Sequence, residues 1–218
     1  NSVNGEEESI THVMPLAKRY GAALLCLPIC SGDLPEKAED RVALAENIVN
    51  RAYGYGLQPH DLLLDPLVLT LASGEDSARQ TLSTLRLYKE KFDFPTVMGL
   101  SNISFGMPQR PYLNGQFLTM ALASGLTTPI MNPLNYAAKK AFVSSTTLLG
   151  WDPGSAEFIK EYGYEDETTA PGNAAPKGPD KASFDSNDPL ANIRACVEQG
   201  EKEAIIELVN KALDDGID

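Results

Sequence analysis

Short apolar segments recur about 30–40 residues apart in this chain, with longer amphipathic segments between them. AALLCLPI (22–29), DLLLDPLVL (61–69), TVMGLS (96–101) and TTPIMNP (127–133) read as continuous apolar runs rather than apolar–polar alternations. A strand that is apolar on both sides asks to be covered on both faces. A parallel connection also needs a dozen or more residues to return to the sheet. The pattern predicts βαβ units and a parallel sheet with both faces covered. NSVN at the start reads as the tail of one more strand, giving four full strands and the end of a fifth. A doubly wound sheet and part of an eight-stranded barrel both satisfy this. No GxGxxG or GxxxxGKS/T follows a strand, so nucleotide-binding versions lose ground.

The intervening segments carry helical signals. EEESITHVMPLAKRY has acids in its first turn, apolar residues at Ile10, Val13, Met14 and Ala17, and a stop at Gly21. Residues 37–54 and SARQTLSTLRLYKEKF are amphipathic, the second with Leu82, Leu85 and Tyr88 on one stripe. A helix is predicted from near Asn114 through GQFLTMALASG, and another over 134–149. After Trp151 the composition shifts, and 164–188 is rich in Pro, Gly, Ala and charge, as in a linker or a segment laid along a surface. Beyond it Ile193 and Val197 share one helical face. Ala204, Ile205, Leu208, Val209 and Leu213 form a second stripe, with Gly200 between the helices and Gly216 as a cap. The implied domains are 1–163, a linker 164–187 and a helical segment 188–218.

A net charge of −12 and the lack of a basic stripe argue against a nucleic-acid partner and an anionic membrane surface. No apolar run is long enough to span a bilayer and no signal peptide is visible. Cys26, Cys30 and Cys196 do not form a disulfide framework. With His12 and His60 the chain's two histidines, a zinc site has too few ligands. Buried free thiols fit a reducing cytoplasm.

Ligands of parallel α/β folds bind at the carboxyl ends of the strands. Asp65 ends DLLLD, where a carboxylate can accept an N–H and an NH₂ together from an amino-pyrimidine edge. A turn-initiating Asp before Pro66 is the equal alternative. Asn102 follows TVMGLS within GLSNISFGMPQRPYLN (99–114), a loop that also carries Ser101, Ser104 and Arg110. Asn1, Asn4 and Asn132 occupy equivalent strand-end positions, although Asn4-Gly5 and Asn132-Pro133 are also common turn dipeptides. Arg110 can fork onto a carboxylate or phosphate, or lie as a solvated surface arginine. No Ser–His–Asp or Cys–His arrangement is visible. The site therefore reads as one that binds and orients while a bound cofactor supplies the chemistry.

NSVNGEEE, LLLDPLVL, GLSNISFGMPQRPYLN and GLTTPIMNP, in this order and spacing, resemble the folate (pterin-binding) domain of cobalamin-dependent methionine synthases. They also resemble the related methyltetrahydrofolate:corrinoid protein methyltransferases. The GLSN and PIMNP forms look closer to the methionine synthase branch. The resemblance covers about residues 1–163, and the tail from Asp188 is similar to the start of the helical cap before a cobalamin-binding domain. It implies a (β/α)₈ TIM barrel of the pterin-binding type, represented by its C-terminal half and followed by a short all-α segment. The missing N-terminal half of the barrel would come from elsewhere, with the further pterin-binding acids of its early strands.

The resemblance also assigns roles. Asn1, Asp65 and Asn102 match pterin-binding positions, and Asn102 is the residue that approaches N5, the methyl-bearing nitrogen. Asn4, Ser101, Arg110 and Asn132 are candidate further substrate-binding residues. The substrate would be 5-methyltetrahydrofolate, whose N5 methyl passes to cob(I)alamin held by a corrinoid domain beyond this chain. Zinc would enter only through an absent homocysteine domain, and the chain itself holds no metal. The implied activity is that of a cytoplasmic methyltransferase of methionine biosynthesis. The alternatives are a methyltetrahydrofolate:corrinoid/iron–sulfur protein methyltransferase and a non-catalytic truncated fragment. A reaction of the dihydropteroate synthase type is disfavoured, because no Lys/Arg cluster sits beside the loops to hold pyrophosphate.

Overall fold

The structure, a computed structural model, describes residues 2–30, 34–163, 189–199 and 202–214. Asn1, the linker 164–187, Gly200 and Gly216 lie outside the described residues. The chain divides into two compact units, Asn1–Tyr164 and Glu165–Asp218.

In the first unit the described strands are β1 (Ser2–Val3), β2 (Leu24–Cys26), β3 (Leu62–Leu64), β4 (Val97–Gly99) and β5 (Thr128–Ile130). All pair in parallel. β1–β2–β3 form one ladder and β4–β5 another, and a parallel bridge from Leu64 to Thr96 joins them. Spatial order thus equals sequence order, with no reversal. A doubly wound sheet contains a switch point where the order reverses, and none lies among these strands. The winding is that of a barrel wall.

Helices α1 (Glu7–Tyr20), α2 (Ala38–Gly54), α3 (Ser77–Lys91), α4 (Arg110–Ala123) and α5 (Tyr136–Leu148) return the chain between and after the strands. α1 follows its sequence signals closely. Glu7 and Glu8 sit at its start, Lys18 and Arg19 at its end, and Gly21 adopts φ 62° to close it. α4 begins at Arg110, four residues earlier than the expected start near Asn114. Gln109 turns the chain with φ 52°, and Pro111 sits in the first turn, where a missing N–H costs nothing. A further short helix, α6 (Ala156–Tyr162), was not foreseen. The Asp152 carboxylate accepts the N–H groups of Glu157 and Phe158 there.

Side-chain alternation along the strands divides the sheet into two faces. Leu24, Cys26, Leu62 and Leu64 are buried together with Ile10 and Met14 of α1 and with Ala45 and Ile48 of α2. Met98 packs with Leu82 and Leu85 of α3 and Phe117 and Leu118 of α4 in a second cluster. The opposite face carries Leu25, Leu63, Val97, Thr128 and Ile130. Val97 is 4% exposed, but Leu25 and Leu63 are only half-buried and Ile130 is 58% exposed. The expected cover on both faces is thus corrected: the described helices bury one face fully, and the other is an inner wall left open around Leu25, Leu63 and Ile130.

In the second unit, α7 (Pro189–Gln199) and α8 (Lys202–Asp214) pack on each other, with Asn192 and Ala212 buried. No helix among the described residues is long and apolar enough to cross a membrane.

Candidate functional site

The inner wall ends in Asp65. It follows Leu64 at the exit of β3 and shares the parity of Leu63 and Val97, so it belongs to the open face. Its backbone is fixed from several directions. The Asp65 N–H donates to the Cys26 carbonyl at 3.0 Å, and the Tyr88 hydroxyl donates to the Asp65 carbonyl at 3.2 Å. The carboxylate Oδ1 accepts the Leu67 N–H at 2.8 Å across Pro66, an Asx turn that leaves Leu67 at φ 62°. That left-handed conformation is disfavoured for leucine, costing on the order of 1–2 kcal/mol. Burial pushes the Asp65 carboxyl up to about 6, against the lowering effects of the Leu67 N–H and the nearby Arg41 charge. Asp65 is thus a desolvated carboxylate, held through Oδ1 by the Leu67 N–H, at the mouth of the open face.

Asn102 lies at the exit of the neighbouring strand, in a 3-10 turn (Leu100–Ser104). Its amide folds back over Gly99, and a Cβ on Gly99 would come within 3.2 Å of Nδ2. Gly99 has the same parity as Asp65 on adjacent strands. The structure therefore brings Asp65 and Asn102 to the same face of adjacent strand ends. The two exit loops are tied together by the Thr70 hydroxyl, which donates to the Phe105 carbonyl at 2.5 Å.

Three of the other candidates form a separate group. Ser101, Arg110 and Asn132 line a pocket of about 310 Å³ between the exits of β4 and β5, with Asn114 and Asn135. Arg110 anchors the loop: Nε donates to Ser104 Oγ at 3.0 Å and Nη2 to the Ser101 carbonyl at 3.0 Å, and the guanidinium lies over the Phe105 ring. Asn132 is exposed, and its Oδ1 accepts the Leu134 N–H. Asn4 lies apart at the exit of β1, where its Oδ1 accepts the Glu6 N–H. Both asparagines make the local turns their dipeptides announce. Among the described residues no cluster of three or more His, Cys, Asp or Glu side chains is arranged to hold a metal ion.

The sequence reading missed Arg41. It is 1% exposed on α2, with Nη1 donating to the carbonyls of Pro66 and Leu67. The signal was present, because Arg41 occupies the buried stripe of Ala38, Val42, Ala45 and Val49, where a helix of this kind carries apolar residues.

Comparison with known proteins follows the same residues. A family model described as pterin binding enzyme matches residues 1–132. The methylcorrinoid:tetrahydrofolate methyltransferase of Eubacterium limosum is 27% identical over 165 residues, covering 74% of this chain and 61% of that protein. The methionine synthase of Mycobacterium tuberculosis is 33% identical over 145 residues, 61% of this chain but 12% of its own length. That of Mycobacterium leprae is 32% identical over 145 residues with the same shares. The chain thus spans less than two thirds of each of these relatives.

Proposed function

Because the chain belongs to the pterin-binding enzyme family, whose fold is of the TIM-barrel type, we propose that it binds 5-methyltetrahydrofolate and supports transfer of the N5 methyl group to a corrinoid. The methionine synthase type is our preferred form. The observation that carries the reading is the pairing of a desolvated carboxylate, Asp65, with the amide of Asn102 on the open face of adjacent strand ends. Both lie within the residues matched by the family. A pterin offers complementary chemistry: an amino-pyrimidine edge with two donors for Asp65, and a tertiary amine at N5 for an amide.

The chain's own residues bind and orient. Asp65 fixes the ring, and its negative charge favours a proton or partial positive charge on the pterin. When the N5–methyl bond breaks, its electron pair stays on N5. That leaving group is poor unless N5 is protonated or hydrogen-bonded. Asn102 can donate to N5, or accept from it once protonated, and this contact strengthens as charge develops, which is how a rate is raised. The corrinoid, held by a domain outside this chain, supplies the nucleophile that takes the methyl group. Homocysteine and its zinc also belong outside the chain.

The five strands would form one wall of an eight-stranded barrel, and the half-buried Leu25 and Leu63 and the exposed Ile130 would pack into its interior. Asn1 would join the pterin site, and Ser101, Arg110 and Asn132 would border it. We assign 1–163 to the barrel, 164–187 to a linker and 188–218 to the start of a corrinoid-domain cap, in the cytoplasm. A stand-alone corrinoid-protein methyltransferase is the second reading, favoured by the longer match of 165 residues to the Eubacterium limosum protein. The test is Asn102→Ala in the full-length protein. Single-turnover methyl transfer should slow far more than the Kd for methyltetrahydrofolate rises. Equal losses would remove the N5 role, and a wild type that does not bind the folate would remove the whole reading.

A further inference from the structure

Arg41 has no place in the folate chemistry described above, yet it is among the largest fully buried side chains of the protein. Among the described residues it makes no ion pair. Instead its guanidinium is spent on oxygens: Nε donates to the Pro35 carbonyl at 2.8 Å, and Nη1 to the Leu67 carbonyl at 2.8 Å and the Pro66 carbonyl at 3.1 Å. Longer contacts run to the Thr81 hydroxyl and the Glu36 carbonyl, both at 3.4 Å. A buried cation is costly unless its donors are satisfied and an opposite charge lies near. Nη1 is satisfied by the turn that carries Asp65, Nε and Nη2 by the carbonyls just before α2, and the opposite charge is Asp65, acting through space.

We infer that Arg41 is a positioning residue for pterin recognition: from α2 it clamps the Pro66 and Leu67 carbonyls, holds Leu67 in its left-handed conformation, and so presents the Asp65 carboxylate, ionised and correctly turned, to the ligand. The inference rests on the folate reading above. Two geometric facts support it. The clamp spans the two residues directly after Asp65. The Leu67 N–H that orients the carboxylate also belongs to the residue whose carbonyl Arg41 holds. Thr81 reinforces the arrangement, its hydroxyl lying 3.2 Å from the same Leu67 carbonyl. The titratable groups coupled to Asp65 are Arg41 from α2 and Tyr88 from α3. Arg41 is the cation of the two, and Tyr88 is held neutral by burial. Losing Arg41 therefore makes the Asp65 carboxylate harder to ionise.

The experiment measures the Kd for 5-methyltetrahydrofolate from pH 5.5 to 8.5 in the full-length wild type and in Arg41→Gln and Arg41→Lys, with single-turnover methyl transfer at saturating folate. Wild-type binding is the control for the folate reading, so loss of that reading shows separately from loss of this inference. Arg41→Gln should weaken binding at pH 7 about tenfold or more, the scale of a lost hydrogen bond to a charged group. Its affinity should recover toward the wild type as the pH rises, while the rate at saturation changes less than about twofold. Arg41→Lys, which keeps the charge but not the fork, should retain the wild-type pH midpoint with an intermediate Kd. A purely structural role would lower affinity and rate together at every pH. That result, or a wild-type Kd profile in folded Arg41→Gln, overturns the inference. Should Arg41→Gln not fold, Arg41→Lys decides alone, and a Kd equal to the wild type's would overturn it.

Discussion

Asp65→Asn is expected to make the protein more stable at neutral pH while weakening folate binding by about tenfold or more. Burial raises the Asp65 carboxyl from an ordinary 3.8 to about 6. A difference of about two pH units, at about 1.4 kcal/mol each, is a penalty near 3 kcal/mol on the folded, ionised form. The sign follows from linkage. Between about pH 4 and 6 the folded state binds more protons than the unfolded one, so this contribution is fully present below about pH 4 and is lost as the pH rises through about 6. Asparagine keeps the oxygen that accepts the Leu67 N–H and has nothing to ionise. The gap between variant and wild type should therefore be near zero at pH 4 and grow to about 2–3 kcal/mol at pH 7.

Denaturant unfolding of the chain at pH 4.5, 5.5, 6.5 and 7.5, followed through its single tryptophan, Trp151, measures the gap directly. Titration with methyltetrahydrofolate gives the other half. The charged acceptor's hydrogen bonds are worth about 1.5–3 kcal/mol each, so affinity should fall by at least tenfold. A gap that does not change with pH, or a variant less stable than the wild type at pH 7.5, would refute the reasoning. Either result would mean that Asp65 is ionised comfortably where it sits.

Three smaller perturbations probe neighbouring features. Gly99→Ala places a Cβ 3.2 Å from the present Asn102 Nδ2, a flexible side-chain end. The fold should hold within about 0.5 kcal/mol, and methyl transfer should slow because the amide is pushed aside; an unchanged single-turnover rate would show that the amide position does not matter. Leu85→Ala removes a side chain with 0% exposure from the core beneath β4. It should cost about 2–5 kcal/mol in denaturant unfolding, and a loss below about 1 kcal/mol would contradict that packing. The Cys26 thiol, pushed up to about 12 by burial, should resist a maleimide at pH 7 in the native protein and react only after unfolding, as mass spectrometry of the modified peptides would show.

Periodicity made the alternation of strands and helices legible. Seven apolar residues of the eight from Ala22 to Ile29, or six of the nine from Asp61 to Leu69, have few arrangements open to them other than buried strands. It could not say which way the sheet winds, because continuous apolar runs suit a barrel interior as well as a second helical layer. The answer came from pairing order, a nonlocal property. Asp65 and Asn102 were visible because chemistry at strand ends is a short-range pattern. Asn4 and Asn132 carried the same pattern and make local turns with Glu6 and Leu134. A side chain that can cap its own backbone two residues on looks the same in sequence whether or not a ligand competes for it. The start of α4 was misplaced because Arg110 and Pro111 read as loop residues, although Pro in a first turn is a start signal. Arg41 was passed over because a stripe is read by its apolar members.

The departures from local rules are not scattered. An ionisable carboxylate is desolvated at residue 65, a leucine is left-handed at 67, and a cation is buried at 41 with carbonyls for partners. On the next strand a glycine leaves its Cβ position to the Asn102 amide. Each departure lowers stability, and each touches or adjoins the ends of β3 and β4. Ordinary selection for stability would remove them one at a time, since alanine, asparagine or an aliphatic side chain would serve the fold at least as well at several of these positions. Their concentration at one mouth, on the face the helices leave open, is what a preorganised binding site requires: a charge held where water cannot fully screen it, on a turn that cannot relax away from the ligand. Because the buried cation and the carboxylate act on each other through space, the stability change on removing both should differ from the sum of the two single changes in denaturant unfolding, and strict additivity would show that they do not interact.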